Sequence, residues 1–243
     1  YGLVLVTGPT GSGKTTTLYA MLKLLNQERW NIVSLEDPIE YSIEGLNQSQ
    51  VRPEIGYDFA QGIRHILRQD PDIIMVGEIR DTETAKLAIH AALTGHLVFS
   101  TLHTNNAIGV IPRLIDMGVD PYLIAPTLVL AIGQRLVRTL CEDSVEEIPV
   151  RGSIEEMISN EIKDMPDDLK KIIKIPGFIY KAKSSATCPK GTKGRAGIFE
   201  VLSMDRELEK IVLKKPSEAD VEEHARKQGM ITIRQSGIVK VLN

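Results

Sequence analysis

Cysteine and an excess of charge of either sign are what this 243-residue chain has least of. Two cysteines, Cys141 and Cys188, cannot make a disulfide framework, so the cross-linked scaffolds of small secreted domains are excluded and a reducing cytosol is the natural compartment. Lys and Arg number 29 against 32 Asp and Glu, a net charge of -3, and nothing in that balance points to a nucleic-acid surface. No stretch reaches the ~18 apolar residues of a membrane-spanning helix; the segment 123–132 is too short, and Pro126 interrupts it. A signal peptide, an internal repeat and a low-complexity tract are missing as well. What remains is ordinary for a globular protein with a sizeable core, 42% hydrophobic and 25% charged.

Both ends read as cuts. Tyr1 is not an initiator and the apolar run Leu3-Val4-Leu5-Val6 follows at once, while the segment 238–242 stops still helix-like. The chain is therefore expected to belong to a longer protein. Its first half alternates short apolar runs with amphipathic stretches, the rhythm of a parallel sheet. Strands are expected at 3–7, 32–35, 73–76 and 97–101, each a continuous apolar run suited to burial on both faces. Helices are expected at 14–25, 59–67, 83–93, 107–117 and 121–132, the last capped by Asp120 before Pro121. Near Cys141 the character changes, which divides the chain into a core, 1–140, and a C-terminal domain, 141–243. The latter opens with a charged insertion, 142–175, containing helices at 154–162 and 167–173. Strands at 178–181 and 197–202 and helices at 206–214 and 219–228 follow, with Ser217 and Asp220 forming a capping box.

The segment Gly8-Pro9-Thr10-Gly11-Ser12-Gly13-Lys14-Thr15 fits the phosphate-binding loop pattern in full, directly after an apolar strand and before a helix. Glycines let the backbone wrap a phosphate with its amide hydrogens turned inward, and the helix offers its positive end to the same anion. Lys14 supplies a point charge for the outer phosphates, the Thr15 hydroxyl suits a Mg²⁺ ion, and Thr16 continues the cradle.

Two further apolar strands end in acids. Ile73-Ile74-Met75-Val76-Gly77-Glu78 delivers a carboxylate to the sheet edge where open parallel sheets hold ligands. Glu78 there can hold Mg²⁺ through water or polarise an attacking water. Ile32-Val33-Ser34-Leu35-Glu36-Asp37 repeats the design, with Glu40 close behind, so one carboxylate can serve the metal and the other the water. Asp37 before Pro38 is equally readable as a turn former. His103 falls at the same edge, at the exit of another strand, where it could hold or sense a γ-phosphate. His96, at the opposite end of that strand, reads as structural, and the two histidines cannot converge on one metal.

Together, Gly8 to Thr17, Glu36-Asp37-Pro38-Ile39-Glu40, the run from Arg68 through Glu78 to Arg80-Asp81, and Thr94 to Thr104 resemble the Walker A, aspartate box, Walker B and histidine box of the motor ATPases of type II secretion and type IV pili. They stand in family order. The resemblance implies a RecA-like α/β core with a mostly parallel sheet and a small, mostly helical C-terminal domain. It implies ATP and Mg²⁺ as ligands, Glu36 as the water-activating base and Glu78 as the Walker B acid. A homohexamer on the cytoplasmic face of the inner membrane, held there by platform and assembly proteins, is implied too. The resemblance also places an arginine-donating domain before residue 1, with Arg64, Arg68 and Arg80 as other arginines to weigh.

Gly133-Gln134-Arg135-Leu136-Val137-Arg138 extends the likeness and favours the assembly branch over the retraction branch. That branch carries two CxxC pairs that bind zinc. Here each pair keeps one cysteine, and two thiols do not close a tetrahedral site, so zinc is expected to be lost and both cysteines to pack as small hydrophobes. Competing readings are a retraction ATPase of the same family, a phosphate-loop kinase, and a ring component that binds nucleotide without hydrolysing it.

Overall fold

The computed structural model describes residues 1–242. Its centre is a seven-stranded sheet in the order β3-β2-β4-β5-β1-β6-β9, built from β1 (Gly2–Thr7), β2 (Ile32–Glu36), β3 (Asn47–Gln50), β4 (Ile73–Val76), β5 (Leu97–Leu102), β6 (Leu128–Leu140) and β9 (Thr192–Ser203). Every neighbouring pair is parallel except β6 with β9. Successive side chains on a strand face opposite ways, and both faces are covered. Leu3 and Leu5 enter one core cluster while Val4 and Val6 enter the other; Ile74 and Val76 likewise part from Ile73 and Met75. That two-sided burial is why these strands read as unbroken apolar runs.

One face packs against α1 (Lys14–Leu25), whose Leu18, Tyr19 and Leu22 are fully buried. The other carries α2 (Phe59–Ile66), α3 (Thr82–Leu93), α4 (Val110–Asp116) and α5 (Pro121–Thr127). Carboxylates at Asp58, Asp81 and Asp120 accept the free amides that open α2, α3 and α5. Beyond β6, the strands β7 (Val145–Pro149) and β8 (Phe178–Ala182) pair as a small separate sheet flanking α6 (Ser153–Lys163) and α7 (Asp167–Ile172) in sequence. After β9 come α8 (Arg206–Val212), α9 (Glu218–Lys227) and α10 (Ile233–Leu242). The Ser217–Asp220 capping box forms at α9 as expected. The architecture is the RecA-like, mostly parallel core followed by a smaller, largely helical region.

Two expectations are corrected. The helix expected over 121–132 ends at Thr127, and from Leu128 the chain is the 13-residue strand β6. Pro126 removes a helical donor, and the free edge of β1 recruits the apolar residues that follow, which periodicity alone could not assign. Cys141 and Cys188 are not separate packed thiols but a disulfide, with Cα atoms 6.7 Å apart. The antiparallel β6–β9 pairing causes this: Leu140 pairs with Thr192 and the Cys141 N–H donates to the Gly191 carbonyl, so the chain leaving β6 meets the chain entering β9.

Candidate functional site

Because β1, β2, β4 and β5 are parallel, their C-terminal ends share one edge, and the loops leaving them surround a cleft of about 620 Å³. Lys14, Thr15 and Thr16 line it from the phosphate loop and α1, with Thr10, Gly11 and Gly13. Glu36 enters from β2, Glu78 and Arg80 from the turn after β4, and His103 from the turn after β5. The four catalytic candidates therefore meet in one place. Gly8, Pro9 and Ser12 shape the loop without lining the cleft.

The loop has the geometry its glycines predict. Gly13 caps α1 at φ 85° and ψ 21°, a left-handed conformation, and no side chain caps the helix. The first turn holds no acid, so its amide donors and positive end remain available to an anion. Lys14 Nζ folds back onto the carbonyls of Gly8 (3.0 Å) and Pro9 (3.2 Å). Burial lowers the Lys14 ammonium below its ordinary range, and the nearby Glu78 charge works against that shift.

Glu36 is 2% exposed and held by three donors. Its Oε1 accepts from the Ser34 hydroxyl at 2.6 Å and from Gln48 Nε2 at 3.1 Å, and its Oε2 accepts from the Tyr19 hydroxyl. A carboxylate offers about four lone-pair directions, so one is left for a further donor. Glu78 lies between two side chains: Arg80 contacts its Oε1, and His103 Nε2 is 3.2 Å from its Oε2. Glu78 raises the Arg80 guanidinium further above its usual range. The His103 turn is seated by Thr7, whose Oγ1 accepts the Thr104 N–H at 2.9 Å, tying the end of β1 to the exit of β5. His96, at the far end of β5, has its ring 2.9 Å from the Ala91 carbonyl, away from the cleft.

Sequence reasoning missed Tyr19, Ser34, Gln48 and Gln134. Tyr19 was visible in principle: it stands one helical turn after Thr15, on the buried face of α1. Gln48 sits on β3, a polar edge strand with no apolar period to reveal it. Among the described residues, no three His, Cys, Asp or Glu are grouped to hold a metal ion, and no helix is long and apolar enough to cross a membrane.

The family model described as "Type II/IV secretion system protein" matches residues 1–243. The type II secretion system protein E of Xanthomonas campestris is 48% identical over 242 residues, covering 100% of this chain and 41% of that protein. The type IV pilus assembly ATPase PilB of Acinetobacter baylyi is 46% identical over 244 residues, covering 99% of this chain and 40% of that protein. The chain thus spans under half the length of these relatives. Among solved structures, the pilus retraction motor PilT with bound ADP superposes at TM-score 0.60 and 29% identity, over 98% of this chain and 61% of that one. The ATPase DotB of Legionella pneumophila gives 0.62 and 26% identity, over 98% and 60%.

Proposed function

Because the chain belongs to the type II/IV secretion system protein family, we propose that it is the ATP-hydrolysing core of a motor driving type II protein secretion or type IV pilus assembly. The carrying observation is that Lys14, Glu36 and Glu78, far apart in sequence, line one cleft at the open end of an anion-ready helix. A kinase would need an acceptor pocket; two carboxylates beside one phosphate cradle suit the activation of water.

In this reading the loop amides and Lys14 bind the β- and γ-phosphates, Lys14 leaving the Gly8 and Pro9 carbonyls for the nucleotide. Glu36 is the general base. Three donors fix its orientation, and its remaining lone pair accepts a proton from the attacking water. Arg80 and His103, now turned to Glu78, are placed to meet charge developing on the γ-phosphoryl oxygens.

The donor set fits Mg²⁺: the Thr15 hydroxyl and the Glu78 carboxylate are hard oxygens, and this ion takes one or two protein oxygens while keeping waters and phosphate. Bound there, Mg²⁺ would neutralise phosphate charge. The reading includes no zinc, which the pairing of the two cysteine sulfurs with each other supports.

The 46% identity to an assembly ATPase, against 29% to a retraction motor, supports the assembly branch. A homohexamer, docking on inner-membrane platform proteins from the cytoplasmic side, and a division into a core (1–140) and a C-terminal unit (141–243) complete the proposal. Phosphate release from Mg·ATP by the full-length protein tests it, with Lys14→Ala as control. Tight nucleotide binding without phosphate release would leave only the non-hydrolysing ring component.

A further inference from the structure

Gln134 is a polar side chain only 3% exposed, next to the apolar core residues Ala131 and Ile132. Register explains its place. Thr7, the last residue of β1, pairs with Gly133, so β6 runs on past the end of β1 and its next residue, Gln134, comes beside the start of the phosphate loop. Both ends of its amide are used: Nε2 donates to the Ser12 carbonyl at 2.8 Å, and Oε1 accepts from the Thr17 hydroxyl at 2.8 Å. The Ser12 carbonyl can only accept, which fixes the end of the amide that faces it. These anchors lie on either side of Lys14 and Thr15, one in the loop and one in the first turns of α1. Both backbone and side chain of Gln134 press on the loop's glycines. A Cβ at Gly8 would collide with the Gln134 carbonyl, and one at Gly13 would lie 3.0 Å from Nε2.

A loop that gathers its amide hydrogens around an anion holds aligned dipoles that repel one another until the anion arrives. Such a loop needs an external hold if it is to be in binding shape beforehand, and pre-organisation of this kind is read out as affinity. Gln134 does not line the cleft and so would not touch the nucleotide. We propose that Gln134 is a positioning residue, a brace on β6 that holds the phosphate loop and the start of α1 in their binding geometry through Ser12 and Thr17. The proposal rests on the nucleotide reading above.

Fluorescent ADP with Mg²⁺, titrated into full-length protein, tests it. Q134E keeps the acceptor for Thr17 but turns the donor facing Ser12 into a repelling oxygen. At about pH 8 its affinity should fall ~10-fold or more, the factor that one hydrogen bond of about 1.4 kcal/mol carries. Lowering the pH to about 5.5 favours the protonated carboxyl, which can donate to Ser12 again, and the gap to wild type should close to roughly threefold or less. The charged residues beside it are Lys14, which follows the Gly13 that Gln134 abuts, Glu200, whose side chain lies against Gly133, and Arg135, the next residue of β6; all are present in the wild type, whose own pH profile removes their contribution. Thr17→Val, which breaks one anchor only, should weaken binding about threefold at both pH values, and Thr17→Ser should restore it.

Without nucleotide, amides 8–17 of Q134E should exchange faster than wild type at about pH 8 once intrinsic rates are removed. That measurement stands even if the wild type bound no nucleotide, a result that would overturn the nucleotide reading and leave the mechanical brace in place. A Q134E defect identical at both pH values, or unchanged exchange of the loop, overturns the brace.

Discussion

The Tyr19 hydroxyl donates to the Glu36 carboxylate across the α1 face of the sheet, joining the helix that follows the phosphate loop to a strand near the sheet's far edge. Burial, reinforced by the Glu36 charge, pushes the Tyr19 phenol well above its ordinary range, so it remains a donor through the whole physiological span. Ser34 and Gln48 hold the other oxygen. Glu36, the proposed base, is thereby aimed by groups from three elements.

Glu36→Gln should bind Mg·ATP normally and turn it over at least ~10²-fold more slowly, the loss expected from removing a general base. The amide oxygen can keep the Ser34 and Gln48 donors while its NH₂ faces the Tyr19 hydroxyl, which can turn to accept, so the fold survives. Tyr19→Phe should retain nucleotide affinity and lose roughly tenfold in kcat, since one hydrogen bond to a charged group is removed and Glu36 gains freedom. Unchanged turnover in Glu36→Gln would transfer the base role to Glu78.

The disulfide predicts a chemical result. Denatured without reductant, the protein should show no free thiol; after reduction it should show both. Elemental analysis should find no stoichiometric zinc, because a closed site needs about four N or S ligands. With its cysteines 47 positions apart in sequence, the crosslink can stabilise by up to about 4 kcal/mol through loop closure. Reductant should therefore lower the urea midpoint of the wild type and leave that of Cys188→Ser unmoved. One zinc per chain with two titratable thiols would refute the pairing.

Legibility followed the physics of each element. β1, β2, β4 and β5 were readable because two-sided burial writes an unbroken apolar run, and the phosphate loop because its backbone shape demands glycine at particular places. β6 was hidden: Leu128 to Ile132 suit a helix or a strand equally, and only pairing with β1 decides. The polar supports of the site, Gln48 and Gln134, left no local trace, since each matters through a partner brought to it by the sheet. The cysteine pairing was hidden for the same reason, being created by the β6–β9 ladder.

Asp205 gives a pH-dependent test in the C-terminal region. The Leu208 N–H first, then the Gln228 and His224 side chains, hold its carboxyl down to about 2, and it caps α8. A folded-state value below the unfolded one of about 3.9 means stability present above that value and lost as pH falls through about 2. The side chain is 44% exposed, so solvent screens it and a cap-sized effect is expected. Asp205→Ala should lower stability by about 1 kcal/mol at neutral pH. The difference from wild type should shrink as pH drops from about 4 towards 2. Equal stability of both proteins at neutral pH would show that the cap contributes nothing.

Arg80 poses the question of which chain would complete the proposed catalytic site in the proposed ring. Arg64 is paired with Glu83 at the surface, whereas Arg80 already contacts Glu78 within its own chain and is 61% exposed, free to swing towards a bound γ-phosphate. Arginines that neutralise the transition state contribute ~10³ or more to phosphoryl transfer. Arg80→Gln should therefore cut kcat by at least ~10²-fold while nucleotide affinity changes little, because the arginine meets charge that develops only in the transition state. Mixing R80Q chains with E36Q chains then separates the two arrangements. If Arg80 serves its own nucleotide, every site in a mixed ring lacks one essential group and phosphate release stays at the level of the separate variants. If it serves the neighbour's nucleotide, a site pairing an intact Glu36 with an intact Arg80 arises wherever an R80Q chain receives from an E36Q chain, and activity returns on mixing. The Glu78 contact predicts the first result, and recovery of a sizeable fraction of wild-type turnover would place Arg80 in the adjoining subunit's site instead.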